Sequence, residues 1–133
     1  GGGHNHRQNL SDGILIKDNH VKTLKLEGLN LTGVIQKAKS NASHTIKVEV
    51  EVETVEQAVE AVSAGADIIL LDNMSTQDMK KAVESCLDKA VTEASGGINL
   101  KTVRSVAETG VNLISVGAIT HSAPNLDLSL DID

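Results

Sequence analysis

The sequence has no phenylalanine, tyrosine or tryptophan among its 133 residues, although 40% of them are hydrophobic. A core built from this chain must therefore be aliphatic, packed from valine, leucine, isoleucine and alanine side chains. The single cysteine, Cys86, excludes an internal disulfide framework and favours a reducing, cytoplasmic compartment. No apolar run approaches the roughly 18 residues that a membrane-spanning helix needs, so we expect no membrane partner.

Basic residues are also scarce, since 12 lysines and arginines face 18 aspartates and glutamates, for a net charge of −6. This balance argues against nucleic acid as a partner, because that function normally requires a basic surface. The length suffices for one domain with a real core, and we interpret residues 1–133 as a single domain.

Strand and helix patterns alternate along the chain. Apolar helical spacing or a cap-to-glycine pattern predicts helices at residues 31–38, 54–65, 75–87 and 99–109, and residues 21–29 are interpreted as a mixed connection. Short apolar or alternating runs predict strands at residues 14–17, 47–53, 68–71, 90–94 and 111–116, with a further edge strand at 126–132. This order is typical of parallel βα units with right-handed crossovers.

Two architectures fit such units: a doubly wound sheet and a βα barrel. The Gly-x-Gly-x-x-Gly fingerprint of a doubly wound dinucleotide fold is absent after the first strand. Glycine-bearing loops instead follow the predicted strands at 90–94 and 111–116, and the last loops of a barrel often bind phosphate. The candidate phosphate ligands in these loops are Ser95, Gly96, Gly97, Gly117 and Ala118. Five or six strands are fewer than the eight of a full barrel, so we predict an α/β fold that forms part of a parallel βα barrel.

Ionisable side chains lie at or near the carboxyl ends of three consecutive predicted strands, namely Lys17, Glu51 and Asp72. Ligands bind at this edge in parallel α/β folds, so we interpret the three as catalytic and substrate-binding candidates. Taken singly, Lys17 could be a surface lysine and Asp72 a helix cap. The strand at 47–53 places its valines toward the helices and its glutamates toward the barrel lumen, unless it is an antiparallel strand with one solvated face.

The histidine-rich N-terminal segment allows a second chemistry. His4, His6 and His20, with Asp72, could be ligands for zinc, although the barrel hydrolases that use His-x-His pairs also need ligands on later strands. The segment could also be a floppy glycine- and histidine-rich tail. The seamless continuation into a strand argues against a tail.

Seven sequence blocks, in order, resemble the quinolinate phosphoribosyltransferase family. The most specific are GGGHNHR at residues 1–7 and LIKDNH at residues 15–20. The others are EVE at 49–51, LDN at 71–73, SGG at 95–97, AETGV at 107–111 and SVGAITHS at 115–122. The resemblance implies an incomplete barrel preceded by an α/β domain, of which this chain would be the barrel portion, lacking its first part.

The resemblance also implies roles for the candidate residues. A pyridine dicarboxylate would bind His6, Arg7 and Lys17, and His121 would line the site. Phosphoribosyl pyrophosphate would bind Glu51, Asp72 and the two glycine loops. Mg²⁺ would be the cofactor, bound through Glu51 and Asp72, and a homodimer would share its active sites.

The implied reaction converts quinolinate and phosphoribosyl pyrophosphate to nicotinate mononucleotide, CO₂ and pyrophosphate. A related transferase for another heterocyclic acid, or an inactive fragment that keeps phosphate binding, are the alternatives. Basic residues that the family carries ahead of the glycine block are missing from this sequence, so we expect the isolated chain to be inactive.

Overall fold

The computed structural model describes residues 2–26 and 28–122 of the chain. It contains a five-stranded sheet with helices between the strands. The strands are β1 (Ile14–Ile16), β2 (Val48–Val52), β3 (Ile68–Asp72), β4 (Val91–Ser95) and β5 (Leu113–Ile114). The helices are α1 (Asp18–Lys25), α2 (Leu31–Asn41), α3 (Val55–Ser63), α4 (Thr76–Cys86), α5 (Val103–Ala107) and α6 (Ala118–His121).

The strand order distinguishes the two predicted architectures. The strands lie in the order β1-β2-β3-β4-β5, and every neighbouring pair is parallel. A doubly wound sheet reverses its strand order at a switch point, and this sheet has no reversal. Consecutive helices contact one another from α1 through α5, as expected for one helical layer on a barrel wall. The predicted portion of a parallel βα barrel is confirmed.

The core lies between this helical layer and one face of the sheet. Val48, Val50 and Val52 of β2 are almost completely buried there, together with Ile69 and Leu71 of β3. The core is aliphatic, as the composition predicts. Cys86 belongs to it, and burial raises the pKa of its thiol, which suits a packing residue rather than a nucleophile.

Helix ends follow the predicted local chemistry. The Thr54 hydroxyl accepts a hydrogen bond from the Gln57 N–H, and the Ser75 hydroxyl accepts one from the Asp78 N–H, so α3 and α4 begin where the capping patterns predict. Gly65 and Gly110, after α3 and α5, have φ of +93° and +89°, in the left-handed region that favours glycine.

Three elements differ from the sequence prediction. Residues 18–25, which overlap the predicted mixed connection at 21–29, form α1. This helix is stabilised by an ion pair between Lys22 and Asp18, one turn apart, and by a hydrogen bond from the Lys17 N–H to His20 Nδ1. Helix α5 begins at Val103 and not at Asn99, because the Asn99 side chain accepts the Lys101 N–H and holds a turn. Strand β5 has two residues, and the predicted strand at 126–132 lies outside the described residues.

No helix within the described part of the chain is both long and apolar enough to cross a membrane.

Candidate active site at the carboxyl edge of the sheet

The predicted site residues meet at one edge of the sheet. Lys17 directly follows β1, Glu51 is the fourth residue of β2, and Asp72 is the last residue of β3. Ser95 ends β4, and Gly117 is the third residue after β5. Because all five strands are parallel, these positions all lie at the carboxyl edge, where α/β proteins bind ligands.

The register places the polar side chains on the face opposite the helices. Glu51 pairs with Leu70, which pairs with Glu93, while Asp72 pairs with Ser95. Partners in a parallel ladder point to the same side of the sheet. These side chains therefore share a face with one another and not with the buried valines of β2. This is the lumenal face predicted from the Val-Glu alternation.

A cation and an anion face each other across β1 and β2. Lys17 Nζ lies 3.8 Å from Glu51 Oε2, and the Lys17 side chain is about half exposed while that of Glu51 is 15% exposed. This separation is long for a hydrogen bond, so both groups can turn toward a ligand. A carboxylate from a substrate could therefore replace Glu51 as the partner of Lys17.

His6 contacts two buried carboxylates on the same face. Its Nε2 lies 3.1 Å from Glu49 Oε2 and 3.5 Å from Glu93 Oε1, and Glu49 and Glu93 are 5% and 4% exposed. Burial first, and then the neighbouring Glu93, raise the pKa of Glu49. The Ser115 hydroxyl donates to Glu93 Oε1.

Arg7 lies beside this cluster on the N-terminal segment. Its guanidinium makes a long hydrogen bond of 3.4 Å to the Gly13 carbonyl, and the residue is half-buried. So weak a contact leaves the planar donors of arginine free to bind a carboxylate in bidentate fashion.

The loop after β4 packs closely against the end of β3. Gly96 has φ of +89°, and a Cβ atom added there would lie 2.3 Å from Asn73 Oδ1 and 2.7 Å from Asn73 N. The Asn73 N–H donates to the Ser95 carbonyl at 3.1 Å, and its side chain donates to Asp72 Oδ2 at 2.7 Å. Gly97 is also left-handed, with φ of +61°, but a Cβ there would meet nothing within 4 Å.

The loop after β5 leaves the sheet beside the loop after β4. Ala94 pairs with Ile114, and the Ser115 N–H donates to the Ala94 carbonyl, so both glycine loops emerge from neighbouring strand ends. Helix α6 begins at Ala118, directly after Gly117. The ring of His121 folds back toward Gly117, since a Cβ added to Gly117 would lie 2.9 Å from its Nε2.

The residues suggested as zinc ligands do not gather. His20 caps the start of α1, and His4 lies exposed in the N-terminal segment. Within residues 2–26 and 28–122, His6, Glu49 and Glu93 form the group of three whose ligand atoms lie within 4.8 Å of one another. The alternative set of His4, His6, His20 and Asp72 is therefore not assembled in the described part of the chain.

Sequence reasoning assigned no role to four residues that the structure brings to the lumenal face or to the carboxyl edge: Glu49, Asn73, Glu93 and Ser115. Glu49 was placed on the lumenal face by alternation, but its partner His6 is 43 residues away and no local pattern connects them. Glu93 had a detectable signal, because it stands two residues before Ser95 and so shares its face.

Comparisons with known proteins identify the family to which the chain is similar. The family described as quinolinate phosphoribosyl transferase, C-terminal domain, matches residues 1–131. The chain is 43% identical over 132 residues to a probable carboxylating nicotinate-nucleotide pyrophosphorylase of Bacillus subtilis, covering 99% of this chain and 44% of that protein. A similarly named protein of Methanothermobacter thermautotrophicus is 44% identical over 137 residues, with 99% and 48% covered.

The fold is likewise similar to a solved structure. The crystal structure of nicotinate-nucleotide pyrophosphorylase from Ehrlichia chaffeensis superposes with a TM-score of 0.87 and 42% identity, over 99% of this chain and 46% of that one. The chain thus spans less than half the length of these relatives. It belongs to the family of quinolinate phosphoribosyl transferase C-terminal domains.

Proposed function

We propose that the protein carrying this chain is a quinolinate phosphoribosyltransferase that acts in NAD biosynthesis. The observation that carries the proposal is the carboxyl edge of the sheet, where Lys17, Glu51 and Asp72 from three consecutive strands stand beside two glycine loops. Membership of the family supports the same function.

The reaction has two parts. The ring nitrogen of quinolinate attacks C1 of phosphoribosyl pyrophosphate, so that an N–C bond forms and the C–O bond to pyrophosphate breaks. The carboxylate next to the nitrogen then leaves as CO₂, its bonding electrons remain on the ring carbon, and a proton takes its place. The product is nicotinate mononucleotide. No covalent intermediate with the protein is needed, so catalysis rests on positioning and electrostatics.

The charges at the edge suit these two substrates. His6, Arg7 and Lys17 supply up to three cations for a dicarboxylate, and this number favours quinolinate over a pyridine with a single carboxylate. Glu51 and Asp72 supply anions for the ribose hydroxyls and for the positive charge that develops on the sugar in the transition state. His121, folded over Gly117, would line the site beside the phosphate.

The two glycine loops would bind the 5′-phosphate of the sugar. Gly96 and Gly97 have left-handed backbones that can bring N–H groups close to an anion, and Ser95 adds a hydroxyl donor. Gly117 and Ala118 begin the neighbouring loop. Because both loops leave adjacent strands at the same edge, one phosphate can contact both.

Carboxylate oxygens are the ligands that Mg²⁺ prefers, and Glu51 and Asp72 present such oxygens on one face of neighbouring strands. The two residues therefore fit a role in holding Mg²⁺ together with substrate oxygens. When bound, Mg²⁺ would stabilise the negative charge of the departing pyrophosphate. We further propose a cytoplasmic homodimer in which a second subunit completes the dicarboxylate site with basic groups.

Arg7 offers the sharpest test of the substrate assignment. In the longest natural protein that carries this sequence, Arg7→Ala should weaken quinolinate binding roughly 10- to 100-fold, because a charge-assisted bond is worth about 1.5–3 kcal/mol. Binding of phosphoribosyl pyrophosphate should change little. Isothermal titration calorimetry with each ligand measures both effects.

Arg104, the other arginine of the sequence, provides the control. It is exposed on α5 and pairs with Glu108, so Arg104→Ala should affect neither ligand. Equal losses of both ligands in Arg7→Ala would contradict the assignment of Arg7 to the aromatic acid.

A further inference from the structure

The acids beneath His6 have no assigned role in the reaction described above. Glu49 comes from β2 and Glu93 from β4, with β3 between them, yet both carboxylates reach the same histidine nitrogen. Two nearly buried carboxylates this close repel each other and lose hydration, so they need a positive or hydrogen-donating partner. Among the described residues, His6 Nε2 is the side-chain donor that contacts both.

The contacts bear on which nitrogen of the His6 ring carries a proton. An ionised carboxylate can only accept hydrogen bonds, so Nε2 carries a proton in the tautomer that bonds the ionised forms of these acids. The other ring nitrogen, Nδ1, diverges from Nε2 and therefore from both acids. A ring that carries both protons would offer Nδ1–H as a charged donor to a further carboxylate.

The hydroxyl of Ser115 extends this network. It donates to Glu93 Oε1, the oxygen that also faces His6. Glu93 is thereby held by the residue that follows β5 as well as by its own strand. Held in this way, the acid can restrain the His6 ring, which lies on a segment without regular secondary structure.

We propose that Glu49 and Glu93 are positioning residues that orient His6 and hold its Nε2–H toward the barrel interior, so that Nδ1 faces a carboxylate of the aromatic acid. This proposal rests on the proposed function, because it assigns His6 to quinolinate. It predicts that both acids affect quinolinate binding without touching the substrate. A histidine and two carboxylates could also bind a divalent cation, and the test below includes that outcome.

A double-mutant cycle in the longest natural protein that carries this sequence isolates action through His6. Glu49→Gln and Glu93→Gln keep the shape of each side chain and remove its charge. Each should raise the KM for quinolinate roughly tenfold, with little change in the KM for phosphoribosyl pyrophosphate. In a His6→Ala background, the same substitutions should change the KM for quinolinate less than about twofold, because their effects are no longer additive.

Glu60→Gln is the matched control. Glu60 is a half-buried glutamate of α3, in the helical layer, and it accepts hydrogen bonds from the Thr32 N–H and hydroxyl. Its substitution should leave both KM values unchanged. Circular dichroism and thermal unfolding of each variant identify any that fail to fold, and Glu49→Asp then replaces an unfolded Glu49→Gln.

The outcomes separate the two proposals. A parent protein that turns over quinolinate, together with non-additive effects, supports the positioning role. Turnover with fully additive effects would refute the positioning role while the proposed function stands. Tight stoichiometric binding of Mn²⁺ that is lost in both His6→Ala and Glu93→Gln would also refute it, because the cluster would then be a metal site. A parent protein without quinolinate turnover would refute both.

Discussion

Gly96 is the single residue whose conformation most constrains the carboxyl edge. Its backbone is left-handed, and the space where a side chain would begin is filled by Asn73. A glycine is therefore required for two independent reasons, the sign of φ and the close approach of two strand ends. Asn73 is itself left-handed, with φ of +52°, a conformation that asparagine tolerates better than most residues.

Alanine substitutions at two adjacent glycines can separate these reasons. Gly97→Ala should cost about 1–2 kcal/mol of unfolding free energy, the strain of a left-handed residue, because its Cβ would meet nothing. Gly96→Ala should cost more, since Asn73 must also move, and the KM for phosphoribosyl pyrophosphate should rise with it. Chemical denaturation and steady-state kinetics measure the two effects, and equal losses of stability would show that the contact with Asn73 is unimportant.

At the scale of secondary-structure elements, Asp67 connects the start of β2 to α2. Its Oδ2 accepts the Val48 N–H at 2.8 Å, and both of its oxygens lie 2.9 Å from Lys39 Nζ. Burial alone would raise the pKa of Asp67, but the Val48 hydrogen bond and the Lys39 ion pair outweigh it and lower the pKa below its usual 3.8. The ionised carboxylate is therefore the form that stabilises the fold.

Removing this connection should destabilise the domain in a pH-dependent way. Asp67→Ala should cost about 1–3 kcal/mol at neutral pH, because the Val48 N–H loses its partner. A carboxyl with a lowered folded-state pKa stabilises above its unfolded value of 3.8, and this contribution disappears as the pH falls through the folded value. The difference in unfolding free energy between the two proteins should therefore shrink below about pH 4.

Denaturant titrations at several pH values measure that difference. Glu108→Ala is the control, since Glu108 forms an exposed i,i+4 pair with Arg104 and such pairs contribute little. A cost for Asp67→Ala that stays constant down to the lowest pH would contradict the role of the ionised form.

Local chemistry explains which elements were predictable. Alternation in β2, the apolar run of β3 and the caps of α3 and α4 are encoded by near neighbours in the sequence, and the structure confirms all of them. Helix α1 was missed because its stabilising contacts are an ion pair and a histidine cap and not an apolar stripe. The common position of Lys17, Glu51 and Asp72 could also be predicted, because the carboxyl ends of parallel strands always lie at the same edge of the sheet.

The partners of His6 were beyond such reasoning, because they depend on how β2, β4 and the N-terminal segment converge. Contacts between residues so distant in sequence are set by the curvature of the sheet and by packing, which no local pattern encodes. Family resemblance supplied the substrates and the roles of the edge residues. It did not supply the contacts beneath them.

At the scale of the whole molecule, the described residues build a five-stranded wall, whereas an eight-stranded barrel surrounds its lumen completely. Apolar side chains on the lumenal face remain partly uncovered, and Val91 and Leu113 are 40% and 48% exposed. The same face carries Glu49 and Glu93, and His6 and Arg7 are the cationic or hydrogen-donating neighbours that lower the pKa of Glu49 against the effect of burial. The proposed homodimer would place further cations against this face, as a dicarboxylate requires.

The 133-residue chain by itself should therefore bind phosphate yet fail to form nicotinate mononucleotide. Phosphate binding depends on two neighbouring loops, at residues 95–97 and 117–118, and both leave strands that the chain contains. Under the proposed function, we expect quinolinate binding to need further basic groups in addition to His6, Arg7 and Lys17. We expect titration of inorganic phosphate to show saturable binding that Gly96→Ala weakens, while an assay with quinolinate, phosphoribosyl pyrophosphate and Mg²⁺ shows no product. Turnover comparable to that of the longest natural protein would demonstrate that this single chain holds a complete site, and the shared-site proposal would be wrong.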